Sequence, residues 1–101
     1  MNGGPRSLAR TNQFKKDYKR ACPTALFRRA VKRGYDVAKL FDVVERLAKG
    51  DKLEQRFRDH SLTGEYSDCR ECHIQSDWAL IYQLTQALIL IRTGTHSDLF
   101  E

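Results

Sequence analysis

All three histidines of the chain, His60, His73 and His96, fall between Asp59 and Phe100. Glu71, Asp77, Arg92 and Asp98 lie in the same segment. Imidazole is the side chain best placed to take and give protons near neutral pH. Cleavage of RNA by its own 2′-hydroxyl needs three things: a base for that hydroxyl, a cation for the charged phosphorane, and an acid for the departing 5′-oxygen. Histidines, a carboxylate and an arginine supply all three without a metal or other cofactor. Any one of these histidines taken alone reads more readily as a surface or capping residue. Their concentration beside breaks and strand ends, where function tends to sit, is what points to a site.

Cys69-Arg70-Glu71-Cys72-His73 has the spacing of haem attachment and suits zinc or redox chemistry. Its placement opposes these uses. In a strand an offset of three puts the two sulfurs on opposite faces. The remaining cysteine, Cys22, is far away, and the single methionine is Met1. The thiols therefore read as small packing residues and no metal is expected. Trp78 is suited to stacking on a base or to the core. Phe100 carries the same two readings.

The elements that must hold these residues follow from periodicity. Ser7 to Asn12 suits a short first strand. Phe14, Tyr18 and Ala21 then recur at helical spacing, with Lys15, Lys16, Lys19 and Arg20 among them. The pattern predicts a helix over Phe14–Ala21 and another over Pro23–Lys32, or one helix kinked at Pro23, with Gly34 as a stop. Asp36 is a good N-cap for an amphipathic helix that ends at Gly50. Leu62 to Glu65 reads as a turn. Strands are expected over Tyr66–Ile74, Trp78–Thr85 and Ala87–Arg92, joined by short connections and hence antiparallel. Gly94 to Glu101 reads as a short polar tail. The result is an α+β fold, with N-terminal helices packed on one face of a small antiparallel β-sheet and the opening strand at its edge.

At 101 residues the chain is expected to form one domain over 1–101. With 41% hydrophobic and 31% charged residues it reads as soluble and globular. It has no apolar run near the roughly 18 residues of a membrane span. Its start lacks the apolar core of a secretory signal, so a cytoplasmic location is expected. Residues 1–34 hold ten Lys/Arg against the lone acid Asp17, while the rest holds eight against twelve, so +9 and −4 make up the net +5. A basic front and a mildly acidic back suggest a face that meets a polyanion.

In order along the chain stand Phe14-Lys15-Lys16-Asp17-Tyr18-Lys19-Arg20, Asp59-His60-x-Leu62-x-Gly64, Arg70-Glu71-Cys72-His73-Ile74-x-x-Asp77-Trp78-x-Leu80-Ile81-Tyr82, and Arg92-Thr93-Gly94-Thr95-His96-x-x-Leu99-Phe100. This order and spacing resembles the YafQ branch of the RelE/ParE toxin superfamily over nearly the whole chain. The resemblance implies a RelE-like fold and an endoribonuclease that cuts mRNA in the ribosomal A site. It further implies a toxin that is monomeric alone and is blocked by a cognate antitoxin in a heterotetramer or larger assembly, with ribosome and mRNA as its other partners. The family's functional positions fall here on His60, His73, Asp77, Arg92, His96 and Phe100. His96 then reads as the acid, Asp77 or His73 as the base, Arg92 as the phosphorane's cation and His60 as a phosphate-orienting group. Lys15, Lys16, Lys19 and Arg20 would meet ribosomal RNA phosphates. The chain departs from the family pattern at Cys22–Ala30, which reads as an insertion that bears on partner geometry. The alternative is a non-catalytic ribosome- or RNA-binding module.

Overall fold

The computed structural model describes residues 6–21, 36–75 and 77–100. They form β1 (Ser7–Arg10), α1 (Asn12–Ala21), α2 (Val37–Lys49), β2 (His60–Ser61), β3 (Arg70–Gln75), β4 (Trp78–Leu84), β5 (Ala87–Thr95) and α3 (His96–Phe100), with 3-10 turns at Gln55–Phe57 and Gly64–Tyr66. The expected helix over Pro23–Lys32, the stop at Gly34 and the segment Cys22–Ala30 lie outside the described residues. No helix among the described residues is long and apolar enough to cross a membrane.

Local chemistry accounts for the helix ends. Thr11 caps α1: its hydroxyl accepts from the Phe14 amide at 2.9 Å. Asp36 caps α2 as expected, accepting from the Ala38 amide at 3.0 Å. Gly50 closes α2 in the left-handed region (φ 87°), with its amide turned back to the Arg46 and Leu47 carbonyls.

The five strands lie in the order β1-β5-β4-β3-β2. The central pairs β3/β4 and β4/β5 are antiparallel, and β1 runs parallel to β5 at the edge. Two strand boundaries differ from the sequence expectation by three residues or more. β3 begins at Arg70 rather than Tyr66, because the 3-10 turn takes up Gly64–Tyr66 and the Cys69 amide bonds back to the Tyr66 carbonyl at 2.8 Å. β5 runs past Arg92 to Thr95, since Gly94 and Thr95 go on pairing with Ala79 and Trp78. The expected polar tail therefore splits into a strand end and a helix. The pair β2, at the far edge, is too short to leave a periodic signal.

β4 explains how the sheet is covered. Trp78, Leu80 and Tyr82 point to one face and Ala79 and Ile81 to the other, and all five are fully buried. The first face packs with Cys72, Ile74, Leu88 and Leu90 under Phe14 of α1 and Leu40, Val43, Val44 and Leu47 of α2. The second carries only a thin cluster of Cys69, Ala79, Ile81 and Leu99, edged by Leu62, Tyr66 and Ile91. Both faces are thus covered, where the sequence pointed to one. The cysteines obey the offset-of-three argument, with Cys69 in the second cluster and Cys72 in the first. Both are free and buried, and burial pushes both thiols up, so neither is a ready thiolate.

Candidate active site

The thinly covered face carries the histidines. Strand register lines up His60, Glu71, Ile81 and Arg92 across β2, β3, β4 and β5. One step along β3, His73 pairs with Ala79, which pairs with Gly94. Glu71 and His73, two residues apart on a strand, share a face. His96 opens α3 just after β5 ends.

Glu71 is the centre of the arrangement. It is 1% exposed, with Oε1 3.2 Å from His60 Nε2 and Oε2 3.4 Å from His96 Nε2. Oε2 makes no hydrogen bond of good geometry, so this buried carboxylate is incompletely satisfied. The His73 and His96 rings lie 6.2 Å apart, centre to centre, and Phe100 lies 4.8 Å from His96. His60 Nδ1 sits 2.7 Å from the Arg58 carbonyl. A carbonyl can only accept, so Nδ1 donates to it and Nε2 is left facing Glu71. The sequence placed Glu71 near the histidines without giving it a role. Its strand alternation with His73 was the signal that would have found it.

Arg92 is held from behind. Its Nε and Nη2 donate to Asp17 of α1 at 2.9 and 3.0 Å. Asp17 also accepts from the Thr93 amide and from Gln13. Burial alone would raise the Asp17 carboxyl, but the bonds from Arg92, Gln13 and Thr93 and the Arg92 charge outweigh it and hold it below the usual carboxylate range. Asp17 pushes the Arg92 guanidinium further up, against burial and with a smaller contribution from Tyr66. Asp17 was read only as the lone acid of a basic stretch. Its position three residues after Phe14, on the apolar side of α1, is what marks it as buried. Arg92 also lines a cavity of about 340 Å³ with Thr63, Glu65, Tyr66, Asp98 and Phe100. Asp59, beside His60 in sequence, is committed elsewhere: it accepts from Tyr82 Oη at 2.6 Å and Arg70 Nε at 3.1 Å.

Of the other expected site residues, Trp78 and the α1 cations belong to the opposite face. Trp78 has no exposed surface and belongs to the core under the helices, so its ring is not presented for base stacking. Of its two readings, packing is the one realised. Asp77 is exposed before β4 and, among the described residues, forms no ion pair with a histidine. Lys15, Lys16, Lys19 and Arg20 are all exposed on α1, the helix over the opposite face. Phe100 is 40% exposed and meets Tyr66 edge-on at 6.1 Å.

The family described as "Bacterial toxin of type II toxin-antitoxin system, YafQ" matches residues 6–101. The chain belongs to the YafQ family. It is 35% identical over 97 residues to the mRNA interferase toxin YafQ of Escherichia coli K12, a match covering 94% of this chain and 96% of that protein. Among solved structures, YafQ in the E. coli DinJ–YafQ toxin–antitoxin complex superposes with a TM-score of 0.78 at 34% identity, covering 97% of this chain and all of that one. A copper-bound mutant toxin from Helicobacter pylori superposes with a TM-score of 0.79 at 34% identity, over 94% of this chain and 99% of that one. The family is one of toxins of type II toxin–antitoxin systems, and the E. coli member is seen in complex with DinJ.

The histidine cluster also has the makings of a metal site, which the sequence did not suggest. Glu71, His73 and His96 each offer one ligand atom, and these atoms lie within 4.8 Å of one another. Two imidazoles and a carboxylate suit a borderline ion such as zinc or copper.

Proposed function

We propose that this chain is an mRNA interferase, the toxin of a type II toxin–antitoxin pair, and that it cleaves mRNA at the ribosomal A site by metal-independent acid–base catalysis. The observation that carries the reading is the buried Glu71 carboxylate, which reaches His60 on one side and His96 on the other while His73 stands alongside. Membership of the family and the name of its E. coli relative support the substrate.

His73 is the better base, since its ring stands beside that of His96, whereas Asp77 makes no ion pair with a histidine among the described residues. In the proposed step His73 takes the proton of the 2′-hydroxyl. The 2′-oxygen bonds to phosphorus, the bond to the 5′-oxygen breaks, and His96 gives that oxygen its proton. The products are a 2′,3′-cyclic phosphate and a free 5′-hydroxyl. Glu71, with Oε2 3.4 Å from His96 Nε2, keeps that nitrogen oriented. His60 orients a phosphate oxygen, and Arg92, pinned by Asp17, supplies the fixed cation. The lysines and Arg20 of α1 would meet ribosomal RNA, an affinity that falls as salt rises. A transition ion held by Glu71, His73 and His96 would occupy the lone pairs this step needs, so added zinc or copper inhibits and a chelator relieves the inhibition.

The test is to map new mRNA 5′ ends after induction in bacteria, and on a translated mRNA in vitro with and without ribosomes. New ends that need both ribosomes and His96 support the reading. Ribosome co-sedimentation and growth arrest without new ends would instead establish a non-catalytic ribosome-binding module.

A further inference from the structure

The chain of rings His73–His96–Phe100 separates two cavities of similar size and different chemistry. Phe100 borders the cavity of about 340 Å³ that also contains Tyr66 and Arg92. His73 borders another, of about 350 Å³, lined by Arg56, Phe57, Arg58, Ile74 and Gln75. Each is near the lower end of the size range of small-ligand sites. In the first, Phe100 offers an exposed ring. In the second, Phe57 and Ile74 are buried, so no aromatic face is open to a base. What this second cavity offers is guanidinium groups. Arg56 lies over the Phe57 ring at 4.7 Å from its centre and pairs with exposed Glu54 at 2.8 Å. Arg58 has no carboxylate partner among the described residues.

Arg58 carries a second, independent mark. It is the one described non-glycine residue with positive φ, at φ 49° and ψ 43°. A side-chain-bearing residue there costs on the order of 1–2 kcal/mol, and such strain gathers at functional sites. The same left-handed turn delivers the Arg58 carbonyl to His60 Nδ1. The residue that orients one histidine thus also borders the cavity of another.

We propose that the Arg56–Arg58 cleft is a phosphate subsite for the ribonucleotide next to the scissile bond. A single RNA strand would run across the histidines with a base toward Tyr66 and Phe100 and its neighbouring phosphate on Arg58 and Arg56. Guanidinium forks suit phosphate oxygens, and the one held over the Phe57 ring has a second contact that orders it. The proposal rests on the ribonuclease reading and narrows where the strand lies.

The experiment measures binding of a 2′-O-methyl oligoribonucleotide, which cannot be cut, to the purified full chain by fluorescence anisotropy across a salt series. The variant is Arg56→Ala combined with Arg58→Asn. Asparagine tolerates the left-handed backbone, so the carbonyl to His60 is kept while the charge is removed. An unchanged melting temperature verifies the fold. The expected result is affinity down about tenfold and a salt slope shallower by about 0.7, the value for one lost phosphate contact on a single strand. Arg58→Lys, which keeps the charge, keeps the slope. Unchanged affinity and slope in the double variant would overturn the subsite, as would weaker binding with an unchanged slope or no binding by the wild-type chain at low salt. The ribonuclease reading fails separately, through growth arrest by the wild-type chain without new mRNA 5′ ends.

Discussion

The two faces of the sheet are built to opposite rules. The face under α1 and α2 is an apolar core in which β3, β4 and β5 meet Phe14 and the Leu/Val stripe of α2. The other face buries a small cluster and then, beside it, a carboxylate with an unsatisfied oxygen, half-exposed imidazoles and a strained arginine. Packing stabilises the first. The second retains groups that cost folding free energy, because burying a carboxylate without full hydrogen bonding is unfavourable. The lesson is a division of labour: one face holds the sheet rigid, so that the other can hold charged groups in fixed positions.

The largest effect that tests this division is His96→Ala. Its side chain is 61% exposed, so little packing is lost. Loss of a general acid lowers the cleavage rate by about 10²–10⁴-fold. The melting temperature should stay within about 2 °C of wild type, as is usual for exposed positions. Primer extension and a thermal melt on the same preparation make the check. A large drop in melting temperature would show that the two faces are not separable.

Asp17→Ala comes next and probes the one place where the helix layer reaches into the site. Removing one partner of a buried ion pair costs about 3 kcal/mol. Arg92 is also freed from its mount, so cleavage falls with stability. The pH dependence has a defined sign. The folded Asp17 carboxyl lies below its ordinary value, so its contribution is fully present above about pH 4 and fades as pH falls through the folded value. Urea titrations at pH 7 and pH 3 should show the wild-type advantage over Asp17→Ala shrinking at the lower pH. An advantage that does not depend on pH would mean that the ion pair is not its source.

How far the sequence revealed each face follows from the same contrast. The helical face was legible because its residues repeat: Phe14 and Tyr18 on α1, the stripe from Val37 to Ala48, and the runs of β4 and β5 each mark one side. The caps at Asp36 and Gly50 were legible because they are chemical rules of single residues. The histidines could be picked out by type, yet their mutual geometry could not. Glu71 joins His60 to His96 through strand register and through a β5 that continues to Thr95, both long-range properties. Trp78 shows the converse limit: stacking and packing give the same sequence signal, and only burial separates them. Arg58 left no local mark, since a bulky residue in a left-handed turn is held there by its surroundings.

Glu71→Gln sharpens the contrast on the site face itself. The amide keeps the shape and loses the charge that attracts the two imidazoles. A hydrogen bond involving a charged group is worth about 1.5–3 kcal/mol, or about 10- to 100-fold in rate. Stability should hold or rise, since a buried, partly satisfied charge is gone. A cleavage rate unchanged from wild type would assign Glu71 a purely packing role.

The smallest effect lies in the hinge between the faces. Tyr82 is buried under the helices, and its hydroxyl donates to Asp59, the residue before β2 and His60. Burial, then this bond and the Asp59 charge, push the phenol up, so it stays a protonated donor throughout the working pH range. Tyr82→Phe removes one hydrogen bond while Arg70 still holds Asp59. The expected cost is about 1 kcal/mol of stability with cleavage within about twofold of wild type. Because the Arg58 carbonyl also fixes His60, the imidazole has a second anchor. A loss of cleavage well beyond twofold in Tyr82→Phe, at full folding, would mean that the core face tunes the histidines through Asp59, and that the faces are coupled more tightly than their packing suggests.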